Sequence, residues 1–495
     1  MINYKLILKI LGLLLLGEAV LMIVPLIVTI MSTDAHNDNE DLLGFIFGIL
    51  ITLIAGFLCR YYGQPENEAM KRKEAYLLVS LTWIIFSIFG SLPFIMSGMV
   101  ETYTDAYFET MSGFTTTGSS IIDNIDVYPA GLLLWRSMTQ WIGGLGIAFF
   151  TIAILPGLVV GGSVKVFSAE ATGPLRTKMH PKLSTNAKMI ISVYTALSVA
   201  CVVCFYFGGM PMFDAINYAM STTATGGFAT HGSSTSYYKS AFIDYTTIIF
   251  MFLSGMNFTM LYLGAIKGKM KNIWKDSEFR FYLYMVGIAT AIITLCLVFG
   301  KTNYNFLTAF RNALFQVVSF VTTTGSFNDN TSNWPRFTWF VLVILMFIGA
   351  CAGSTSGGLK CIRAVMIMKV VRNELKKLLH PKAVLPLKIN GNSVSSQQQV
   401  TLLAFIVVYL LLCVATYAVL MIFDADWINT VDAITIAISS ASNVGPALGN
   451  PIGNTSSWSQ LSDISKWLCS FLMLMGRLEI LGVLVIFTPA FWRER

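Results

Sequence analysis

Apolar residues run along this chain in long stretches separated by short polar ones. Ten such runs occur, at residues 4–31, 42–62, 75–100, 131–160, 189–207, 241–266, 281–300, 337–368, 400–423 and 467–491. About 20 apolar residues span a bilayer, so the pattern predicts ten membrane helices. Lys5 and Lys9 precede Leu, Ile and Val in the first run, as in a signal peptide. The run is too long for one and lacks a small-residue cleavage site, so it reads as a membrane helix.

The polar gaps divide the runs into an N-terminal pair and four helix–loop–helix units. The predicted divisions are 1–74 for the helix pair and a cytoplasmic linker, then 75–188, 189–280, 281–396 and 397–495 for the repeats. Each repeat's internal loop holds a short run of small residues ending near a glycine. These are Thr115-Thr116-Thr117-Gly118, Thr223-Ala224-Thr225-Gly226, Thr322-Thr323-Thr324-Gly325 and the degenerate Ser442-Asn443-Val444-Gly445. Successive glycines are 108, 99 and 120 residues apart, an internal repeat of roughly a hundred residues.

A short amphipathic segment precedes each element, opening at Asp105, Asp214, Asn312 and Asp432. Asp and Asn are N-cap residues, and a carboxylate also suits the positive end of the helix dipole. These segments are too short to cross a membrane and read as re-entrant half-helices whose C-terminal, partly negative ends point at its middle. Irregular backbone at that depth must line a cavity or be buried in protein. Glycine lets successive carbonyls turn toward one axis, and four such strands make rings of oxygens that replace a dehydrated cation's water, as in potassium filters. No Asp or Glu lies within the four elements, which argues against an acidic, calcium-type ring.

Composition supports the membrane reading: 55% of the 495 residues are apolar and 12% charged, against about 25% charged in soluble domains. The net charge of +7 comes from Lys and Arg gathered in the loops between repeats, which is the positive-inside pattern and needs no nucleic acid. Loops inside the repeats are poorer in Lys and Arg, with Lys301 and Arg311 as exceptions. The parity puts both termini in the cytoplasm. The eight cysteines fall in or at the ends of apolar runs and read as packed thiols, Cys201 and Cys204 included. The four histidines (His36, His180, His231, His380) lie in loops, and no acidic pair shares a membrane depth, which excludes an intramembrane enzyme.

Two features interrupt the second helices. Residues 349–360 hold Gly353-Ser354-Thr355-Ser356-Gly357-Gly358 and then Lys360. Glycine costs about 1 kcal/mol in a helix interior, so this stretch reads either as a helix break or as a small-residue packing face of the GxxxG sort. Arg477 lies in the last apolar run, where a charge is costly and faces a cavity. A contact with Glu479 is the alternative, but residues two apart on a helix do not face each other.

Taken together, the chain resembles the Trk/Ktr/HKT superfamily of potassium transporters, TrkH type, from residue 75 to its end. The extra N-terminal pair and Trp141-Ile142-Gly143-Gly144-Leu145-Gly146 are similar to TrkH-type members. The resemblance implies an all-α polytopic membrane protein with four helix–pore-loop–helix repeats around a pseudo-fourfold pore. It implies filter glycines at Gly118, Gly226, Gly325 and Gly445, with potassium at the filter residues and no organic cofactor. Gly353, Ser354, Thr355, Ser356, Gly357 and Gly358 become an intramembrane gating loop, with Lys360 beside it and Arg477 as a cation barrier beneath the filter. It further implies a homodimer in a bacterial inner membrane, gated by a cytoplasmic TrkA-like ring of nucleotide-binding subunits. This chain has no G-x-G-x-x-G fingerprint of its own. The basic cytoplasmic loops, residues 372–388 above all, are candidate docking surfaces for that ring, and the positive-inside pattern accounts for them equally well. The rival is an obligate symporter coupled to protons or sodium, with Asp105 or Glu479 as the titrating group.

Overall fold

A computed structural model describes residues 2–32, 39–66, 70–154, 183–265, 268, 270–300, 304–383 and 385–493. The basic residues Lys165, Arg176, Lys178, Lys182, Lys267 and Lys269, the exception Lys301, and His36 and His180 lie outside the described residues, as does the predicted helix end at 155–160.

The N-terminal pair forms helices Tyr4–Met31 and Asn39–Tyr62. They approach closely because Gly12 faces the backbone of the second helix: a Cβ there would lie 2.7 Å from Gly56 O and 2.8 Å from Arg60 N.

Four repeats follow, each a first helix, a half-helix and a second helix. The first helices are Arg72–Gly90, Leu183–Phe207, Ser277–Phe299 and Ser396–Phe423. The half-helices are Tyr103–Phe114, Met212–Ala224, Phe306–Val321 and Thr430–Ser442, of 12, 13, 16 and 13 residues. At about 1.5 Å per residue they are about 18–24 Å long, too short to cross hydrocarbon about 30 Å thick. Their starts differ from the sequence expectation. Thr102, Pro211, Asn305 and Asn429 occupy the N-cap positions. Asp105, Asp214 and Asp432 lie three residues further on, as first-turn carboxylates, and Asn312 sits well inside its helix. Asn429 and Asp432 form a capping box, each side chain accepting from the other's backbone amide.

The second helices carry the larger surprise, because every one is interrupted. In repeat one, Ala130–Ile154 has a non-helical residue at Gly146 (φ 27°, ψ −102°). In repeat two, Ala241–Ser254 bends by 104° into the next helix, which begins at Phe258. In repeat three, Arg336–Ile348 gives way to residues 349–360, which are not helical, before Cys361–Leu379 resumes. In repeat four, Asp463–Arg477 bends by 110° into the segment beginning at Ile480, across Glu479 at φ 59°. Among the described residues six single helices and two bent pairs are long and apolar enough to cross a membrane. The remaining second helices are the ones interrupted at Gly146 and at 349–360. A two-stranded hairpin, Lys388–Ile389 with Asn392–Ser393, turns through Asn390 and Gly391, both with positive φ, as an Asn-Gly turn requires. All eight cysteines are free thiols.

Replacing Gly12 with Val should force the N-terminal pair apart. Overpacking of this kind costs about 1–3 kcal/mol, so the melting temperature of the purified protein should fall while its ion preference stays unchanged.

Candidate ion pathway

Each half-helix ends in the same way. Thr116, Thr225, Thr323 and Asn443 adopt left-handed φ values of 53°, 55°, 57° and 55°. The next amide turns back to a serine carbonyl five residues earlier: Thr117 N to Ser112 O (2.8 Å), Gly226 N to Ser221 O (2.9 Å), Thr324 N to Ser319 O (2.9 Å) and Val444 N to Ser439 O (3.0 Å). This Schellman-type closure satisfies carbonyls that a half-helix would otherwise leave bare inside the membrane.

The closure fixes a register that the sequence pattern missed by one residue. Gly118, Gly325 and Gly445 follow their closing residues, and the equivalent in repeat two is Gly227, with Gly226 in the place of Thr117. Their φ values are 84°, 77°, 102° and 85°. The four glycines then interlock in order. A Cβ on Gly118 would lie 1.9 Å from Gly226 O, on Gly227 2.1 Å from Thr324 O, on Gly325 2.3 Å from Val444 O, and on Gly445 2.5 Å from Thr117 O. Each strand thus abuts the next and the fourth abuts the first, which closes a ring with no room for a side chain. Gly118, Gly227, Gly325 and Gly445 line one vestibule, with Ser119 and Pro446 beside them.

Residues 349–360 lie against the other side of the ring. Thr355 Oγ1 donates to Thr223 O (3.2 Å), Gly357 N donates to Thr323 Oγ1 (2.6 Å), and a Cβ on Gly357 would lie 2.0 Å from Ser442 O. The loop therefore touches the deep ends of three half-helices. Its backbone is satisfied in part by the break in repeat two: Cys351 N donates to Gly255 O, Phe258 N to Gly353 O, and Asn257 Nδ2 to Ala352 O. The glycines here serve a broken helix and not a helix-packing face. Gly353 and Gly358 have φ of 75° and 73°. Lys360 is buried and donates through Nζ to Ser356 O, within the loop.

Arg477 ends its helix at the break. Its guanidinium donates to Thr355 O of the loop and to Gly143 O of the first repeat's second helix, each at 2.7 Å. Glu479 pairs instead with Arg363, and Asp105 with Lys466 at 2.6 Å.

The description of this fold agrees with known proteins. The TrkH family model, a cation transport protein, matches residues 42–494. The chain belongs to the TrkH family. It is 36% identical to the Trk system potassium uptake protein TrkH of Salmonella typhimurium over 99% of this chain and 100% of that one. It is 31% identical to the Trk system potassium uptake protein TrkG of Escherichia coli, over 92% and 93%. The crystal structure of the potassium transporter TrkH from Vibrio parahaemolyticus superposes with a TM-score of 0.87 at 33% identity, covering 99% of this chain and 100% of that one.

Within this TrkH-family chain, sequence reasoning overlooked the struts behind the ring. Glu109 and Arg136 are 1% and 3% exposed and form a 2.7 Å ion pair. Glu109 also accepts from Ile121 N and Ser120 Oγ, while Arg136 covers the Phe228 ring and donates to Ala229 O. The pair joins the ends of strands one and two. Gln140, fully buried, donates to Gly226 O (2.7 Å) and accepts from Phe228 N (3.1 Å). On the opposite side, Asn443 Nδ2 donates to Thr117 Oγ1 (2.9 Å) and to Met473 O (2.8 Å). A signal was available for the ion pair, since charges inside apolar segments are costly and come paired.

Glu109→Ala would leave the Arg136 charge buried without its partner. The fold should lose about 3–5 kcal/mol, read as a large fall in melting temperature, with Glu109→Gln falling less.

Proposed function

We propose that this chain carries potassium into a bacterial cell across the inner membrane, through a filter formed by the four strands and a gate formed by residues 349–360. The single observation that carries the reading is the closed ring of four glycine strands with an intramembrane loop pressed against its other side. Both curated relatives named above are potassium uptake proteins, which supports potassium as the cargo. The filter residues are Thr115 to Gly118, Ala224 to Gly227, Thr322 to Gly325 and Ser442 to Gly445. The vestibule side faces out of the cell, and both termini face the cytoplasm.

The gate works by two means. The loop occupies space under the ring, and Arg477 places a positive charge at the same depth, where a low dielectric makes it effective against a cation. Because Arg477 also ties the loop to Gly143, displacement of the loop removes the obstruction and shifts the charge together. Regulation belongs to a separate cytoplasmic nucleotide-binding subunit docking on residues 372–388, and the working unit is a homodimer. The symporter reading is weakened by Asp105 and Glu479, which are each committed to an ion pair.

Flux into liposomes holding the purified protein, compared for potassium, rubidium, sodium and lithium at two pH values, tests this directly. Potassium and rubidium should enter without a proton gradient; uptake that collapses with that gradient would instead establish coupled transport. Arg477→Ala should raise potassium flux on the order of tenfold, equivalent to about 1.4 kcal/mol of barrier, with ion preference retained. Gly118→Ser and Gly227→Ser should both admit more sodium relative to potassium, and an unaltered ratio in both would count against the filter assignment.

A further inference from the structure

Glu278 stands at the start of the first helix of repeat three, outside the ring, and is 6% exposed. Its Oε1 accepts from two backbone amides, Ala352 N at 2.6 Å and Ile362 N at 3.0 Å. The first amide lies near the start of the intramembrane loop and the second in the helix that resumes just after it. Ile362 is the second residue of helix Cys361–Leu379, whose own N-cap position is occupied by Lys360 at φ 78°. A lysine side chain has no acceptor for a helix amide, and here it turns to Ser356 O instead. Glu278 therefore supplies, from a neighbouring helix, the acceptor that the local sequence lacks, and sets a carboxylate at the positive end of that helix's dipole.

The helix that carries Glu278 is itself anchored. Asp276 Oδ1 accepts from Glu278 N and Phe279 N, and Asn390 in the hairpin accepts from Ser277 N and donates to Asp276 Oδ2. The carboxylate is thus held in place from below while it grips the loop near its start and the helix just after it.

We propose that Glu278 is a positioning residue for transport, clamping the intramembrane loop across the pathway by capping the second half of the broken helix and tethering Ala352 through the same oxygen. The proposal rests on the gate reading given above. A loop that swings aside must change its bonds to this carboxylate, so weakening the clamp favours passage.

The test is rubidium flux and potassium-to-sodium preference in liposomes for the full chain and its variants Glu278→Ala, Glu278→Gln and Arg477→Ala, with the melting temperature of each. Glu278→Ala should raise flux about tenfold; Glu278→Gln, which keeps an acceptor but loses the charge, about threefold. Ion preference should match the parent in both. A purely structural role would lower flux and melting temperature together and would not rank the two variants in this order. Flux at the parent level in folded Glu278→Ala, with Arg477→Ala raised, overturns the clamp and leaves the gate standing. Parent-level flux in both overturns the gate reading and the clamp with it. Should Glu278→Ala fail to fold, Glu278→Gln decides: raised flux supports the clamp, and parent-level flux overturns it.

Discussion

Inside a bilayer a backbone amide or carbonyl without a partner costs several kcal/mol, and this chain ends or breaks a helix within its bundle at every repeat. Much of the structure is an answer to that cost. The half-helices turn their last amides back to Ser112, Ser221, Ser319 and Ser439. The breaks in repeats two and three face each other and exchange bonds through Gly255, Asn257 and Phe258. Irregular backbone is thereby concentrated around a single axis. What a soluble protein would place in a surface loop is here the best-enclosed part of the molecule.

Charge follows the same economy of place. Glu109 pairs with Arg136 between two helices of the first repeat, whereas Asp105 with Lys466 and Arg363 with Glu479 join elements distant in sequence. Arg477 also joins distant elements, donating to carbonyls of two other repeats.

The repeat architecture was legible from the sequence because it depends on features local to each repeat: a long apolar run, a short helix, a small-residue element. The glycine cluster at 349–360 announced its own helix break for the same reason. The register of strand two was not legible, since Gly226 and Gly227 are adjacent and residue type cannot choose between them. The serine six residues ahead of each true equivalent would have chosen Gly227. Three half-helix caps were misplaced by three residues because a first-turn carboxylate and an N-cap carboxylate are the same residue type at different depths, and the fourth by seven, because Asn312 and the true cap Asn305 are both asparagines. The bends at 254–258 and 477–480 carry little glycine and are imposed by tertiary contacts, as are the bonds from Arg477 to Gly143 and from Asn443 to Thr117.

The four strands are held by unlike struts: Gln140 behind the second, Asn443 between the fourth and the first, and paired threonine hydroxyls in the first and third. In a channel built from four copies of one chain, any substitution near the axis appears four times, and intermediate behaviours are inaccessible. In the filter proposed here one codon change alters one quarter of the wall. Ion preference in such a molecule can drift by small steps, with three walls left intact while the fourth explores, and a degenerate strand such as Ser442 to Gly445 is the form that drift would take.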